Sequence, residues 1–265
     1  MRRPAIQRRA ALNAAEVATW SGARTAGASA EELRFRRSPG VLPPGQRIYV
    51  VGDVHGCLTE LRRLHEIIRQ DLEQRPARAT LIHLGDYIDH GPDSACVLDH
   101  LLAGTPNLPT VNLLGDHERM LLEALDGDRA AATDWLHGGG RASLESWGLG
   151  PDLARGEWPR AIPERHVAFM RSLQHQHEQG GYLFVHAGIR PGVPPGRQSL
   201  DDLLTIRQPF LWTEQDFGRI VVHGHSAGPE VVIAVNRIGL DTGAGTGGPL
   251  TCAVLEDDLI GLISV

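Results

Sequence analysis

Ile48-Tyr49-Val50-Val51-Gly52-Asp53-Val54-His55-Gly56 decides how the rest of the chain is read. Its four leading residues are β-branched or aromatic and read as a buried strand. A carboxylate and an imidazole then follow two residues apart, among glycines that allow a tight turn. The pattern recurs along the chain. Leu81 to Leu84 leads into Gly85-Asp86-Tyr87-Ile88-Asp89-His90-Gly91, and Val111 to Leu114 leads into Gly115-Asp116-His117-Glu118. Tyr182 to Val185 leads into His186-Ala187-Gly188, and Ile220 to Val222 into His223-Gly224-His225. Carboxylates and imidazoles at the C-terminal ends of neighbouring strands converge on one crevice, where open α/β sheets bind ligands.

Between these segments the periodicity changes. Leu58, Leu61, Leu64 and Ile67/Ile68 recur at helical spacing, and so do Val97, Leu98, Leu101 and Leu102. Strand, helix, strand, helix is a βαβ pattern, so this part of the sheet is expected to be parallel. Residues 119–178 read as mostly helical, broken at His137-Gly138-Gly139-Gly140 and across Gly148–Pro159, and form a cap-like insertion. Beyond residue 180 strands dominate: Tyr182–Val185, Ile220–Val222, Val231–Val235, Arg237–Asp241, Leu250–Leu255 and Leu259–Val265. Residues 1–46 are rich in Arg and Ala and read as a largely disordered extension; Asn13 to Trp20 suggests a short helix there without a strong apolar stripe. The globular domain is expected over 47–265.

Composition narrows the function classes. All 26 basic residues are arginine, which removes a Schiff-base or P-loop lysine. Residues 1–47 hold nine arginines against three glutamates, a balance of +6, so the overall −6 leaves −12 on the rest. A body that acidic does not suggest specific nucleic-acid binding. No apolar run approaches the roughly 18 residues of a membrane span. Met1-Arg2-Arg3-Pro4 lacks the apolar core of a secretory signal. Cys57, Cys96 and Cys252 are odd in number and lack metal-type spacing, so they read as reduced thiols in a cytoplasmic protein.

The five glycine-flanked segments together read as a site for two divalent metals. Such a pair needs a bridging carboxylate with further ligands on either side. Asp86 is the natural bridge, since it lies between the other ligand groups in sequence. Asp53 and His55 can face one metal. Asp116, His186 and His225 complete the other, with His223 the less certain candidate. This ligand set suits Mn, Fe, Zn, Co, Ni or Mg and does not by itself choose among them; Mn is the working expectation. His117 is assigned as general acid, and Asp89 as the carboxylate that keeps its ring protonated and oriented.

With these motifs in hand, the chain resembles the calcineurin-like metallophosphoesterases of the phosphoprotein phosphatase superfamily. It is most similar to short bacterial members related to the phage lambda phosphatase and the symmetrical diadenosine tetraphosphatases. The family pattern GDxHG, GDxxDRG, GNHE, HAG, GH runs here from Gly52 to about Gly243. The resemblance implies an α/β sandwich of two mixed β-sheets flanked by helices. It implies in-line attack on phosphorus by a hydroxide bridging two metals. By position, Asp53, His55 and Asp86 match one metal site, Asp86, Asp116, His186 and His225 the other, and Asp89 with His117 the acid pair. Arg207 falls where the family keeps a phosphate-binding arginine, a role suited to its two-pronged guanidinium. Trp135 and Gly138–Gly140 resemble the substrate-side insertion. Asn236-Arg237-Ile238 and Asp241-Thr242-Gly243 resemble structural closing strands. The implied partners are a phosphorylated protein, a nucleotide or a small phosphate ester.

The chain departs from the family at two positions. The arginine of GDxxDRG is His90, retained as a substrate-side residue, and the asparagine of GNHE is Asp116. Two divalent ions bring four positive charges, and Asp53, Asp86 and a hydroxide remove three. A neutral asparagine leaves one positive charge, whereas an ionised Asp116 cancels it. Unit charges about 4 Å apart interact by several kcal/mol even at an effective dielectric near 20. The expected result is a shift toward diesters or less charged esters. The competing readings are a non-catalytic or weakened metal-binding phospho-recognition module, and a dinucleoside polyphosphate hydrolase. The latter needs an adenine pocket, and no aromatic pair clearly supplies one.

Overall fold

The computed structural model describes residues 18–20, 33–150 and 158–265. Two six-stranded sheets face each other. The first contains β2 (Phe35–Arg37), β3 (Gln46–Val51), β4 (Arg78–His83), β5 (Thr110–Asn112), β11 (Thr251–Glu256) and β12 (Leu259–Ser264), in the order β2-β12-β11-β3-β4-β5. The second contains β1 (Ala18–Trp20), β6 (Gln176–Gln179), β7 (Tyr182–Val185), β8 (Ile220–His223), β9 (Val231–Ile233) and β10 (Arg237–Gly239), in the order β1-β9-β10-β8-β7-β6. Both sheets are mixed: β3, β4 and β5 run parallel, as do β7, β8 and β10, and the remaining pairs are antiparallel. This is the expected two-sheet sandwich.

Strand β3 shows why its apolar run is continuous rather than alternating. Successive side chains point to opposite faces. Ile48 and Val50 pack between the sheets with Ile82, Leu84, Phe184, Val222 and Leu255. Tyr49 and Val51 pack outward against helices. Both faces are covered, so both are apolar. The covering helices are α1 (Leu58–Gln74), α2 (Ser94–Ala103), α3 (Asp116–Leu125) and α7 (Glu164–Arg171). Helix α1 buries Leu58, Leu61, Leu64, Ile67 and Ile68. A third apolar layer lies outside the second sheet, where Leu183, Val185 and Val221 meet Leu203, Ile206 and Phe210. Leu203 belongs to α8 (Leu200–Thr205).

Between β5 and β6 the described chain is mostly helical: α3, α4 (Arg129–Trp135), a π turn at Leu136–Gly140, α5 (Arg141–Ser146), α6 (Trp158–Ala161) and α7. Residues 151–157, inside the expected break at Gly148–Pro159, lie outside the described residues. So does most of the 1–46 extension.

The structure differs from the sequence reading at several elements. Ala18–Trp20, placed in a tentative helix over Asn13 to Trp20, is a strand paired with β9, and residues 13–17 lie outside the described residues. Strand β6 (Gln176-His177-Glu178-Gln179) was not expected, because an edge strand of polar residues carries no apolar alternation. The expected runs Val231–Val235, Arg237–Asp241 and Val111–Leu114 shorten to three residues each, because the chain leaves the sheet to turn toward the crevice or into a loop.

Candidate metal centre

Parallel pairing sets the site. Val51 registers with His83, and His83 with Asn112, so β3, β4 and β5 end side by side. Phe184 registers with Val222 in the other sheet. The loops that follow meet at one edge and are stitched across the sheets. His225 N–H donates to Asp53 Oδ2 (2.8 Å), Gly224 N–H to the His186 carbonyl (2.7 Å), and His186 Nδ1–H to the Leu84 carbonyl (2.9 Å).

The backbone here is locally strained. Among the described residues, seven non-glycine residues have positive φ, and five of them are His55, Asp86, Asp89, His90 and His225. Such concentration is typical of functional sites, where surrounding structure holds an unfavourable conformation in place. Gly85, at φ +110°, permits the close approach of two loops, since a β-carbon there would stand 2.7 Å from Gly115 N.

Two carboxylate-containing clusters of ligand-type atoms result. Asp53, His55 and Asp86 form one; Asp86, Asp116, His186 and His225 form the other; within each, the atoms lie within 4.8 Å of one another. Asp86 belongs to both. His55 Nε2 is 3.5 Å from Asp86 Oδ2, and His186 Nε2 is 3.5 Å from Asp86 Oδ1. Asp116 Oδ1 lies 2.9 Å from both His186 Nε2 and His225 Nδ1. His55 Nδ1–H donates to the Ile88 carbonyl (2.9 Å), as His186 Nδ1–H does to Leu84, so each ring presents Nε2 to the carboxylates. Fixing one ring nitrogen by a backbone carbonyl is the usual way to orient a metal-binding histidine.

Electrostatics asks for cations. Asp53 is buried, and its Oδ1 has no hydrogen-bond partner among the described residues. Burial, with Asp241 and Asp86 close by, drives the Asp53 carboxyl well above the usual range. A divalent ion would satisfy the orphaned oxygen and reverse that shift. Burial works against charge on Asp116 as well, but hydrogen bonds from His186 and His225 hold its carboxyl well below the ordinary value. Asp116 therefore stands as an ionised carboxylate where an asparagine would be neutral. These oxygen and nitrogen donors fit a pair of divalent ions.

His117 is placed beside the clusters. Its Nδ1–H donates to Asp89 Oδ2 (2.7 Å), and its Nε2 lies 4.0 Å from Asp86 Oδ2. Burial opposes its charge, but Asp86 and Asp89 push the imidazole up to about 10. Asp89 is itself held by Trp135 Nε1–H (3.1 Å) and Ser143 Oγ–H (2.6 Å), both on Oδ1. Trp135 is thus fully buried and tied to the acid pair rather than open on the substrate side. His90 is open to solvent on one side, and partial burial of its ring, with His55 and His117 close by, lowers its pKa. Exposed Arg207 reaches the rim, with Nη2 3.5 Å from the His225 carbonyl. His223 is not brought to either cluster. Its Nδ1–H donates to the Gly224 carbonyl (3.0 Å), its ring meets Phe210 edge-on, and burial lowers it to about 4.

The sequence reading gave Glu118, Ser143 and Asp241 no role at the site. Glu118 is buried and accepts backbone N–H groups from Asp86, Tyr87, Ile88 and Gly115 at 2.7–3.1 Å, clamping the loop that carries Asp86 and Asp89. Burial and Asp86 raise it to about 8, while His117 and the donated N–H groups pull it down. The available signal was its place at the end of Gly115-Asp116-His117-Glu118, an N-terminal helix carboxylate. Nothing in local sequence marks Ser143.

A family model described as calcineurin-like phosphoesterase matches residues 46–259. The bis(5'-nucleosyl)-tetraphosphatase, symmetrical, of Methylococcus capsulatus is 33% identical over 149 residues, covering 54% of this chain and 44% of that protein. The protein of the same name from Nitrosospira multiformis is 28% identical over 261 residues, covering 79% and 93%. The chain thus spans less than half the length of several curated relatives it matches. Among solved structures, a candidate diadenosine tetraphosphatase superposes with a TM-score of 0.62 at 24% identity, covering 84% of this chain and 96% of that one. A cold-active protein-tyrosine phosphatase from a psychrophilic Shewanella superposes at 0.57 with 16% identity, covering 84% and 83%. Both superpositions speak to fold alone.

Proposed function

This chain belongs to the calcineurin-like phosphoesterase family, and from that premise we propose that it is a two-metal-dependent hydrolase of small phosphate compounds. The carrying observation is that Asp86 is common to both ligand clusters. In this reading Asp53, His55 and Asp86 hold one ion, and Asp86, Asp116, His186 and His225 the other. Ions bound there supply Lewis-acid polarisation of phosphoryl oxygens and an acidified water. His117, kept protonated by Asp89 and Asp86, donates a proton from Nε2 to the leaving oxygen. Arg207 at the rim takes a non-transferred phosphate oxygen. Glu118 keeps the Asp86 loop in register.

Hydrolysis by metal-stripped protein, with Mn, Ni, Co, Zn and Mg added back separately, tests the proposal. Metal-dependent cleavage of p-nitrophenyl phosphate or its bis ester, lost in Asp86→Asn, is the expected result. Two bound metal equivalents with no turnover would instead mark a phosphate-recognition module. The extra charge of Asp116 favours less charged substrates. Asp116→Asn combined with His90→Arg is expected to raise the monoester-to-diester ratio, and an unchanged ratio would refute the charge argument.

A second reading concerns the substrate. The curated relatives carry the name of a symmetrical bis(5'-nucleosyl)-tetraphosphatase, which favours a dinucleoside polyphosphate. Diadenosine tetraphosphate cleaved to ADP alone would support it. ATP with AMP, or no cleavage beside active ester hydrolysis, would remove it.

A further inference from the structure

His90 stands where the family motif has arginine, and it has not simply left a gap. One nitrogen from each of His55, His90 and His117 lies within 4.8 Å of the others. The rings stand edge to face, with centroids 4.7 Å apart for His55–His90, 4.8 Å for His55–His117 and 5.2 Å for His90–His117. Space has been made for the added ring. A β-carbon at Gly139 would stand 2.9 Å from His90 Nδ1, and one at Gly245 would stand 3.0 Å from His90 Cβ. Asp89 and His90 both take positive φ (74° and 62°), which turns the ring toward the other two.

The nitrogens are oriented for a ligand. His55 and His117 each engage Nδ1, with the Ile88 carbonyl and with Asp89, so each offers Nε2. His90 makes no hydrogen bond to any described residue that would occupy its ring nitrogens. Imidazole donors without a carboxylate suit borderline ions such as Zn, Ni or Cu far better than Mg or Mn.

We infer that His90 and His117 form a third cation position beside His55, on the substrate side of the two carboxylate clusters, and that a zinc-class ion filling it inhibits the enzyme. The inhibition rests on the function proposed above: the ion displaces the proton of His117 Nε2 to solvent and occupies the nitrogen that delivers it. Occupancy is confined to excess metal. His55 Nε2 faces Asp86 at 3.5 Å and is taken by the first ion, so the third position rests on two imidazoles, must displace the proton of His117 and has no anionic donor of its own.

The test loads the full chain with Mn, titrates Zn, and measures bound Zn and Mn by elemental analysis alongside ester hydrolysis. Wild type is expected to take one Zn beyond two Mn, with hydrolysis falling in step; excess Mg does neither. His90→Asn, which tolerates positive φ, is expected to weaken the additional Zn at least about tenfold, as for lost groups around a metal. Its inhibition midpoint moves by the same factor when rates are normalised to its own Zn-free value. Superimposable Zn binding for wild type and His90→Asn overturns the inference, as does Zn uptake matched one for one by Mn release. If hydrolysis is absent, the function reading fails, and the metal count still decides the third position. A thermal melt checks that His90→Asn is folded.

Discussion

Two groups of histidines in this molecule lie under cover and meet opposite fates. At the site, His117 and His186 face Asp86, Asp89 and Asp116, and both are pushed upward, His117 to about 10. Between α1, β4 and α2, three others face mostly one another. His83 Nδ1–H donates to Asn112 Oδ1 (2.8 Å), His65 Nε2–H to His83 Nε2 (2.9 Å), and His100 Nε2–H to His65 Nδ1 (2.9 Å). Burial, then the neighbouring rings, drive His65 down to about 2, and burial drives His83 to about 4. Burial opposes charge in both places. The carboxylates decide which histidines can carry a proton for chemistry and which are kept neutral as structure.

The comparison breaks most completely at Asp86→Asn. Removing the shared carboxylate is expected to reduce hydrolysis to the buffer blank and to lower metal content by elemental analysis. Retention of both metals would show that Asp86 is not the bridge. Next is His117→Asn, with turnover expected to fall about 10²–10⁴-fold at unchanged metal content, the usual worth of a general acid. A drop under about tenfold would remove His117 from that role.

Asp89→Asn is milder, an expected loss of about 10–100-fold. It also removes one of the groups that raise the His117 pKa. The acid acts while protonated, so the alkaline limb of the pH–rate profile is expected to move to lower pH. A limb that stays in place would leave Asp89 a packing role only.

The smallest effect sharpens the neutral side. The folded pKa values of His65 and His83 lie below the unfolded value of about 6.5. As pH falls through that window the unfolded chain takes up protons first. Their contribution is present above about pH 6.5 and declines toward pH 4, by about 1.4 kcal/mol per pH unit for each proton. His65→Leu is expected to flatten the pH dependence of urea unfolding between pH 7 and 5. Equal slopes for wild type and variant would mean that the histidine chain opens before global unfolding.

Much of the site was legible because its residues are local. Asp53, Asp86, Asp116, His186 and His225 each follow an apolar run within a few positions, and parallel pairing then carries them to one edge. The residues of the two candidate clusters could be proposed from the same segments, because each cluster gathers residues that stand at strand ends. What lies across sequence was not legible. His65, His83 and His100 are 18 and 17 positions apart, and a histidine among α1's polar residues carries no mark of a partner on β4. The place of Glu118 in the first turn of α3 marks a helix-capping carboxylate, but not the N–H groups it accepts from some thirty residues upstream. Edge strands β1 and β6 depend on a neighbour for pairing rather than on an apolar alternation of their own. Arg207 was placed by resemblance, and only the fold brings it beside His225.

Trp135 and Ser143 sit in the helical segment between β5 and β6, yet both donate to Asp89, the partner of the acid. Exchanging that segment for a relative's helices would therefore change more than the wall around a substrate. On the proposed mechanism, the helices and the strength of the acid would be inherited as one block. A chimera that imports only new helices is expected to import a new acid strength with them.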